Sequence, residues 1–321
     1  MSGLRVVFIT TSPSDILSAV LASRHSVVGI VESAAGRTGA ARAPRRNPIY
    51  RALAASRRRF APAGPTLGTV ASNRGIAHYR MHAGTDAELE RWTRDLGPDV
   101  IAICGMTRLL GKDVFEVPRH GAINLHPAAL PKYRGANPFF WMYYNMESEG
   151  GVTVHFVDEG EDTGDVIFED TYPIRSGTRM IEVQRTAFEI GSRLLLRALD
   201  ALAGGTCPRR PQPKDVSFPR ARRVEAREVR TLIDWDGWPI ERVWHLLAGT
   251  QGWLDALDRP PGWRRHFRWR VGPYVPGSTD GRAGSVCRDA DGYHVAHPRG
   301  KIRLSVDYDP RLFVKAVLGG G

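Results

Sequence analysis

Short apolar runs and amphipathic stretches take turns along the first part of the chain, and this alternation predicts its elements. Apolar runs predict buried strands, and apolar residues spaced three or four apart predict helices. The predicted strands cover residues 4–10, 27–31, 76–80, 99–103 and 123–126, and the predicted helices cover residues 14–23, 86–95, 137–145 and 180–202. Alternation in residues 151–157 and 166–172 predicts an antiparallel pair. The pattern therefore indicates an α/β fold with a Rossmann-like, mostly parallel sheet that has an antiparallel edge.

A charged stretch with four prolines follows the last of these helices and predicts a linker. Beyond it, a helix at 240–247 and alternating segments at 284–287, 293–297 and 301–306 predict a small β-rich unit. We therefore expect a large domain at residues 1–205, a linker at 206–232 and a smaller β-rich C-terminal domain at 233–321. Residues 33–66 are rich in Ala, Arg, Gly and Pro, which predicts a long loop with a short helix at 49–56.

Charge and cysteine content narrow the class of protein. The 321 residues carry a formal net charge of +11, mostly from arginine clusters at 42–46, 57–59, 220–223 and 264–270. Such clusters attract phosphates or a polyanion, but charge runs are more often solvated surface, and we favour that interpretation for each cluster. The three cysteines are far apart, which indicates a reducing compartment and no zinc site. No apolar run is long enough for a membrane helix, and the chain begins with a strand pattern, so we expect a cytoplasmic protein.

Candidate chemistry lies at the end of the fifth predicted strand. Asn124 and His126 are two residues apart, so on a strand they point to the same face. An acidic turn at 158–165 offers a carboxylate that could orient the imidazole, although spacing alone does not choose among its acids. A proton acceptor, its orienting partner and an amide donor form a minimal set for attack on a carbonyl carbon. His155 is a second imidazole, which we expect to be structural or to contact substrate.

Four sequence motifs that include these residues together resemble those of a known protein family. They are Asn124-Leu125-His126, Leu130-Pro131-Lys132-Tyr133-Arg134-Gly135-Ala136-Asn137-Pro138, Gly151-Val152-Thr153 and Asp162-Thr163-Gly164. Together they resemble the 10-formyltetrahydrofolate-dependent formyltransferase family, which includes methionyl-tRNA, glycinamide ribonucleotide and nucleotide-amino-sugar N-formyltransferases. The resemblance implies that Asn124, His126 and Asp162 are catalytic, that 10-formyltetrahydrofolate is the co-substrate and that no metal is needed. On this basis we expect Asn124 and a protonated His126 to donate hydrogen bonds to the oxyanion.

The resemblance also implies the residues that contact the two substrates. The folate contacts implied by it are Met106, Leu109, Leu110, Val157, Glu159 and Gly160. For Met106, Leu109 and Leu110 the alternative is ordinary core. The candidate acceptor contacts are Lys132, Tyr133, Arg134, Trp141 and His155. For Lys132, Tyr133 and Arg134 the alternative is a solvated turn in which Arg134 fixes the backbone, and for Trp141 it is the core. The C-terminal part resembles the family only loosely, because residues 247–252 replace the family's Arg-Ala-x-x-Pro-x-Pro-Gly run.

Two acceptors stay open from the sequence. Phe139-Phe140-Trp141 after Pro138, His155 after the Gly-Val-Thr block, and Pro-Ala-Ala-Leu after His126 resemble the amino-sugar enzymes. The net charge, the chain length and an Arg-containing early loop at 35–39 resemble the methionyl-tRNA enzymes. We favour a small amine, most simply a nucleotide-linked amino sugar, with initiator tRNA as the alternative. A homodimer through the C-terminal half is also compatible with the sequence.

Overall fold

A seven-stranded sheet forms the centre of the first part of the chain in the computed structural model, which describes residues 3–33, 65–81, 86–213, 217–262 and 267–307. Its strands are β1 (Arg5–Thr10), β2 (Ser26–Glu32), β3 (Ala77–Arg80), β4 (Val100–Cys104), β5 (Ala122–His126), β6 (Glu149–Phe156) and β7 (Val166–Pro173). Their order is β3-β2-β1-β4-β5-β6-β7, and all pairings from β3 to β5 are parallel. β6 and β7 run antiparallel to their neighbours. The predicted α/β fold is confirmed, including its antiparallel edge.

Helices cover both faces of this sheet. They are α1 (Asp15–Leu21), α2 (Leu67–Ser72), α3 (Asp86–Leu96), α4 (Lys112–Phe115), α5 (Pro138–Tyr144) and α6 (Met180–Ala203). Alternate residues of β1 enter two different cores, with Val6 and Phe8 in one and Val7 and Ile9 in the other. The sequence analysis missed α2 and α4, because each is too short to show a helical period. The helix expected at 49–56 lies outside the described residues.

The second sheet contains four antiparallel strands, which agrees with the predicted β-rich C-terminal part. Its strands are β8 (Arg268–Pro276), β9 (Val286–Asp289), β10 (Gly292–His297) and β11 (Gly300–Asp307), in the order β8-β11-β10-β9. The helix α7 (Ile240–Gly249) contacts β8 and β11. The sequence analysis missed β8, which contains Gly272 and Pro273. Proline is tolerated on an edge strand, and β8 is one.

The segment expected to be a linker follows the surface of the first part of the chain. Ala221 is fully buried, and its backbone N–H donates to the carbonyl of Arg134 at 2.8 Å. The carbonyl of Pro219 accepts from the N–H of Tyr133 at 2.8 Å. Buried residues of both sheets join one hydrophobic core, which includes the parallel stack of Tyr143 on His245 at 4.8 Å. Residues 217–224 therefore pack as part of the fold against the segment that follows β5. No helix within the described ranges has the length and apolar character needed to cross a membrane.

Candidate active site

Four polar side chains meet where β5 ends and where the β6–β7 turn folds back over it. Asn124 on β5 stands directly opposite His155 on β6, and His126 follows two residues later on the same face. Asp162 lies in the turn between β6 and β7 with φ of +56°, a left-handed conformation. That conformation is uncommon outside glycine, and Asp is among the residues that tolerate it best. The carboxyl end of a parallel strand is also where ligands bind in open α/β sheets.

The Asp162 carboxylate is the centre of this cluster. Its Oδ1 accepts from Asn124 Nδ2 at 3.2 Å and lies 3.4 Å from His155 Nε2. Its Oδ2 accepts from the backbone N–H of Gly135 at 2.9 Å and lies 3.4 Å from His126 Nδ1. Burial raises the pKa of this carboxyl, but the positive charge of either imidazole when protonated and the backbone N–H of Gly135 act in the opposite direction and hold the pKa well below its usual range. Asp162 is therefore ionised at neutral pH.

The hydrogen bonds of the two imidazoles assign their protons. His126 Nε2 lies 2.9 Å from the carbonyl of Tyr133, which only accepts, so Nε2 carries the proton and Nδ1 faces Asp162. Burial lowers the pKa of His126, which favours the neutral ring, while the Asp162 carboxylate acts in the opposite direction. His155 Nδ1 donates to the carbonyl of Phe156 at 2.7 Å, which leaves Nε2 free to accept from Asn124 Nδ2 at 3.1 Å. His155 therefore orients the Asn124 amide.

A buried glutamine from the expected linker fixes the turn that holds Asp162. Gln212 Nε2 donates to the carbonyls of Asp162 at 3.0 Å and Gly164 at 2.7 Å. Its Oε1 accepts from Arg134 Nη2 at 2.6 Å and Nε at 3.2 Å. Gln212 was missed from the sequence, since nothing local to residues 211–213 indicates contact with a turn 50 residues earlier. Arg134 thus helps to fix the backbone of the Asp162 turn through Gln212, which is the alternative role considered for it above.

The cluster lies on the wall of a cavity of about 1060 Å³. Asn124, His126, His155 and Asp162 all line it. Five of the six residues expected to contact folate line it as well: Met106, Leu109, Leu110, Val157 and Gly160. Leu109 is 58% exposed, so this wall presents apolar surface to the cavity. A ligand ring covering that side chain would gain hydrophobic free energy.

The other residues that the sequence analysis expected to contact a substrate lie away from the cavity wall, and most of them have partners elsewhere in the protein. Glu159 Oε1 pairs with Lys112 Nζ at 2.7 Å. Tyr133 is buried, and its hydroxyl donates to Glu147 at 2.6 Å. Trp141 packs partly into the core and donates from its indole N–H to the carbonyl of Arg222 at 2.7 Å. Lys132 is exposed on the turn after β5. These placements do not bring Lys132, Tyr133, Arg134, Trp141 or Glu159 to the cavity wall.

Several lining residues did not figure among the sequence candidates. Arg220, Arg222 and Arg223 line the cavity, although the 220–223 cluster was expected to be solvated surface. Aromatic residues from distant segments also line it: Phe139, Phe140, Phe188 and Trp253. The arginine cluster and the Phe139-Phe140 pair had a local sequence signal, whereas Phe188 and Trp253 reach the cavity only by packing. Within the ranges that the structure describes, no group of three or more His, Cys, Asp or Glu is arranged to hold a metal ion.

Comparison with known proteins gives this geometry a family. Methionyl-tRNA formyltransferase of Pelotomaculum thermopropionicum is 33% identical over 186 residues, which cover 58% of this chain and 56% of that protein. The enzyme of the same name from Methylacidiphilum infernorum is 38% identical over 140 residues, 44% of this chain and 43% of that protein. The matched regions thus span about half the length of these two curated relatives.

Solved structures share the fold at low sequence identity. An N-formyltransferase from Helicobacter canadensis, in complex with folinic acid and dTDP-3-aminofucose, aligns with a TM-score of 0.63 and 15% identity. That alignment covers 95% of this chain and all of the other. HypX from Aquifex aeolicus, in complex with tetrahydrofolic acid, gives a TM-score of 0.58 and 16% identity over 94% of this chain and 44% of that chain. The sequence profile of the formyl transferase family matches residues 4–199, well over half of the molecule, and the chain belongs to that family.

Proposed function

We propose that this chain is an N-formyltransferase that moves a formyl group from 10-formyltetrahydrofolate to the primary amine of a nucleotide-linked amino sugar. The observation that carries the proposal is the contact of Asp162 with both Asn124 and His126 on the cavity wall. Membership of the formyl transferase family supports the identity of the transferred group.

The three side chains match what acyl transfer to an amine demands. Attack by nitrogen on the formyl carbon places negative charge on the formyl oxygen and leaves a proton to be removed from nitrogen. Asn124 supplies an amide N–H for that oxygen, by giving up one of its two present acceptors. A donor of this kind is worth about 3 kcal/mol in the transition state. Once the proton has left the attacking nitrogen, the bond from the formyl carbon to the carrier nitrogen breaks. The carrier nitrogen takes the electron pair and a proton, so the products are the formylated amine and tetrahydrofolate.

His126 is the proton acceptor in this proposal. The sequence led us to expect a protonated ring donating to the oxyanion, but its Nε2–H donates to a backbone carbonyl and burial favours the neutral ring. The free position is Nδ1, beside ionised Asp162. A proton arriving there, directly or through Asp162, completes an imidazolium with an acceptor at each nitrogen. Asp162 thus stabilises the charged form of the ring and holds the ring once Nδ1 is protonated.

The cavity suits a folate co-substrate in size and in the character of one wall. Sites for drug-sized ligands are about 300–1,000 Å³, so a cavity of about 1060 Å³ accepts a folate with space left for part of an acceptor. Met106, Leu109 and Leu110 supply apolar surface for a flat ring. The co-substrate supplies a formyl group already activated by its carrier. The folate compounds bound in the Helicobacter canadensis enzyme and in HypX support this choice.

The amino-sugar acceptor is supported by the ligand of one solved structure, while the length of that fold match is shared with HypX and does not itself choose the acceptor. The Helicobacter canadensis N-formyltransferase, whose complex holds dTDP-3-aminofucose, aligns through the C-terminal part as well. Methionyl-tRNA is the second candidate acceptor. The curated relatives quoted above favour it, because they share up to 38% identity with the catalytic part of the chain.

The test incubates the protein with 10-formyltetrahydrofolate and a panel of amines, and mass spectrometry detects the gain of one formyl group. The panel holds dTDP- and UDP-linked amino sugars, free amino sugars and methionyl-tRNA. We expect formylation of a nucleotide-linked sugar that changes little with salt. Formylation of methionyl-tRNA alone, falling steeply as salt rises through counterion release, would select the second candidate. No formylated product with any amine would overturn the proposal.

A further inference from the structure

Aromatic and cationic side chains at one part of the cavity have no role in the chemistry above. Trp253 follows α7 in the C-terminal part, and Arg222 and Arg223 lie in the segment that joins the two parts. All three line the same cavity as Asp162.

The aromatic residues form a partly uncovered surface. Trp253 stacks on Phe140, with ring centroids 4.9 Å apart and an angle of 30° between the planes. Trp253 is nevertheless 43% exposed, and Phe188, which also lines the cavity, is 40% exposed. Half-exposed rings that line a cavity can stack a planar ligand ring, because every nucleobase has a π-face to offer them.

Consecutive contacts connect this surface to the arginines. Phe140 contacts Trp141 with ring centroids 5.2 Å apart. The guanidinium of Arg222 lies 4.8 Å from the centre of the Trp141 ring, and the Trp141 indole N–H donates to the Arg222 carbonyl. The arginine segment is thereby held beside the aromatic surface. A ligand that stacks on Trp253 therefore lies in the same cavity as the guanidinium groups of Arg222 and Arg223.

One of these arginines is available to an anion. Arg220 pairs with Glu161, and Arg222 pairs with Glu228 at 2.6 Å. In the portion of the chain that is described, the exposed Arg223 guanidinium has no hydrogen bond or ion pair. A guanidinium matches a phosphate group with two parallel hydrogen bonds, so Arg223 suits a phosphate better than a neutral ligand.

We propose that Trp253 and Arg223 form a nucleotide subsite in which the indole stacks on the base and the guanidinium binds a phosphate. This inference rests on the proposed function and names what the acceptor carries beside its amine. A nucleotide is common to both candidate acceptors, as the handle of a nucleotide sugar or as the terminal nucleotide of a tRNA. It also gives the C-terminal part of the chain a role in selecting the acceptor.

Calorimetric titration of the full chain with dTDP, UDP, ADP and inorganic pyrophosphate tests the subsite. At least one nucleoside diphosphate should bind, and Trp253→Leu or Arg223→Ala should weaken that binding about tenfold. Arg227→Ala is the matched control, because Arg227 is 85% exposed in the same segment, pairs with Glu225 and does not line the cavity. Its binding should equal that of the wild type. Tighter binding of dTDP or UDP than of ADP indicates a nucleotide sugar, and the reverse order indicates tRNA.

Three results would overturn the inference: no nucleoside diphosphate binds, pyrophosphate binds as tightly as the nucleotides, or both variants bind like the wild type. Arg223→Ala replaces an exposed side chain, so it keeps the test decisive if Trp253→Leu does not fold. Asp162→Asn should bind nucleotide normally while losing formyl transfer. If the protein transfers formyl groups but binds no nucleotide, only the nucleotide subsite is rejected. If it binds nucleotide but formylates no amine, the proposed function is rejected.

Discussion

Replacing Gln212 by methionine tests whether the turn that holds Asp162 depends on the segment between the two parts of the chain. The substitution keeps the length of the side chain but removes its four hydrogen bonds, two to carbonyls and two from Arg134. An unsatisfied buried polar group costs about 1–3 kcal/mol. The two carbonyls, of Asp162 and Gly164, lose their glutamine donor, while the half-buried Arg134 can turn toward water. We therefore expect the free energy of unfolding to fall by about 2–4 kcal/mol.

Activity should fall as well, because the released turn no longer holds Asp162 against His126. A displacement of about 1 Å at a catalytic group can cost roughly a hundredfold in rate, so kcat should drop by about tenfold to a hundredfold. Urea unfolding measures the stability, and mass spectrometry of the formylated amine measures kcat and KM. The KM for 10-formyltetrahydrofolate should change little, since Gln212 does not line the cavity.

A double-mutant cycle with Arg134→Met provides the control. Arg134 donates to the Oε1 atom of Gln212, so the two substitutions remove the same hydrogen bonds. The double variant should therefore lose clearly less stability than the sum of the two single losses. The reasoning is refuted if Gln212→Met unfolds and turns over like the wild type. Full additivity of the two losses would equally refute the shared network.

Three further predictions follow from the site and its support. Asn124→Ala should lower kcat about a hundredfold with little change in KM, as measured by initial rates; an unchanged kcat would exclude an oxyanion donor there. Because burial lowers the pKa of His126, the acidic limb of the kcat–pH profile should lie below pH 6.5. The Asp162 carboxylate raises the pKa of His126, so Asp162→Asn should move this limb to still lower pH. A limb that moves to higher pH contradicts the assignment of His126 as the proton acceptor. Gly249→Ala should destabilise the fold by about 2 kcal/mol in urea unfolding, because its Cβ would overlap the buried Tyr143 ring; wild-type stability would show that the ring can move.

The sequence was most informative where one segment decides its own structure. The central strands β1, β2 and β4 are nearly continuous apolar runs, and this is typical of strands buried on both faces. β8 was lost because Gly272 and Pro273 interrupt its alternation, and its place at a sheet edge is what permits them. The short helices α2 and α4 have too few residues to show a period.

The residues of the candidate site also differ in how well the sequence alone predicted them. The spacing of Asn124 and His126 on one strand predicted their shared face, which the pairing of β5 with β6 confirms. The choice of Asp162 among the acids of its turn needed the family resemblance. Gln212 and Trp253 had no local signal at all, because each acts through contacts with segments far away in the chain. Packing between distant segments is what a single sequence does not express.

The most direct test of the central claim compares two acids of the same turn in the formyl-transfer assay. Asp162→Asn keeps the shape of the side chain but removes the charge that faces His126. Asp165→Asn is the matched control, since Asp165 pairs only loosely with Arg209, at 3.7 Å, and does not line the cavity. We predict that Asp165→Asn formylates the amine at the wild-type rate and that Asp162→Asn, equally well folded, is at least about a hundredfold slower. Equal rates for the two variants would contradict the account.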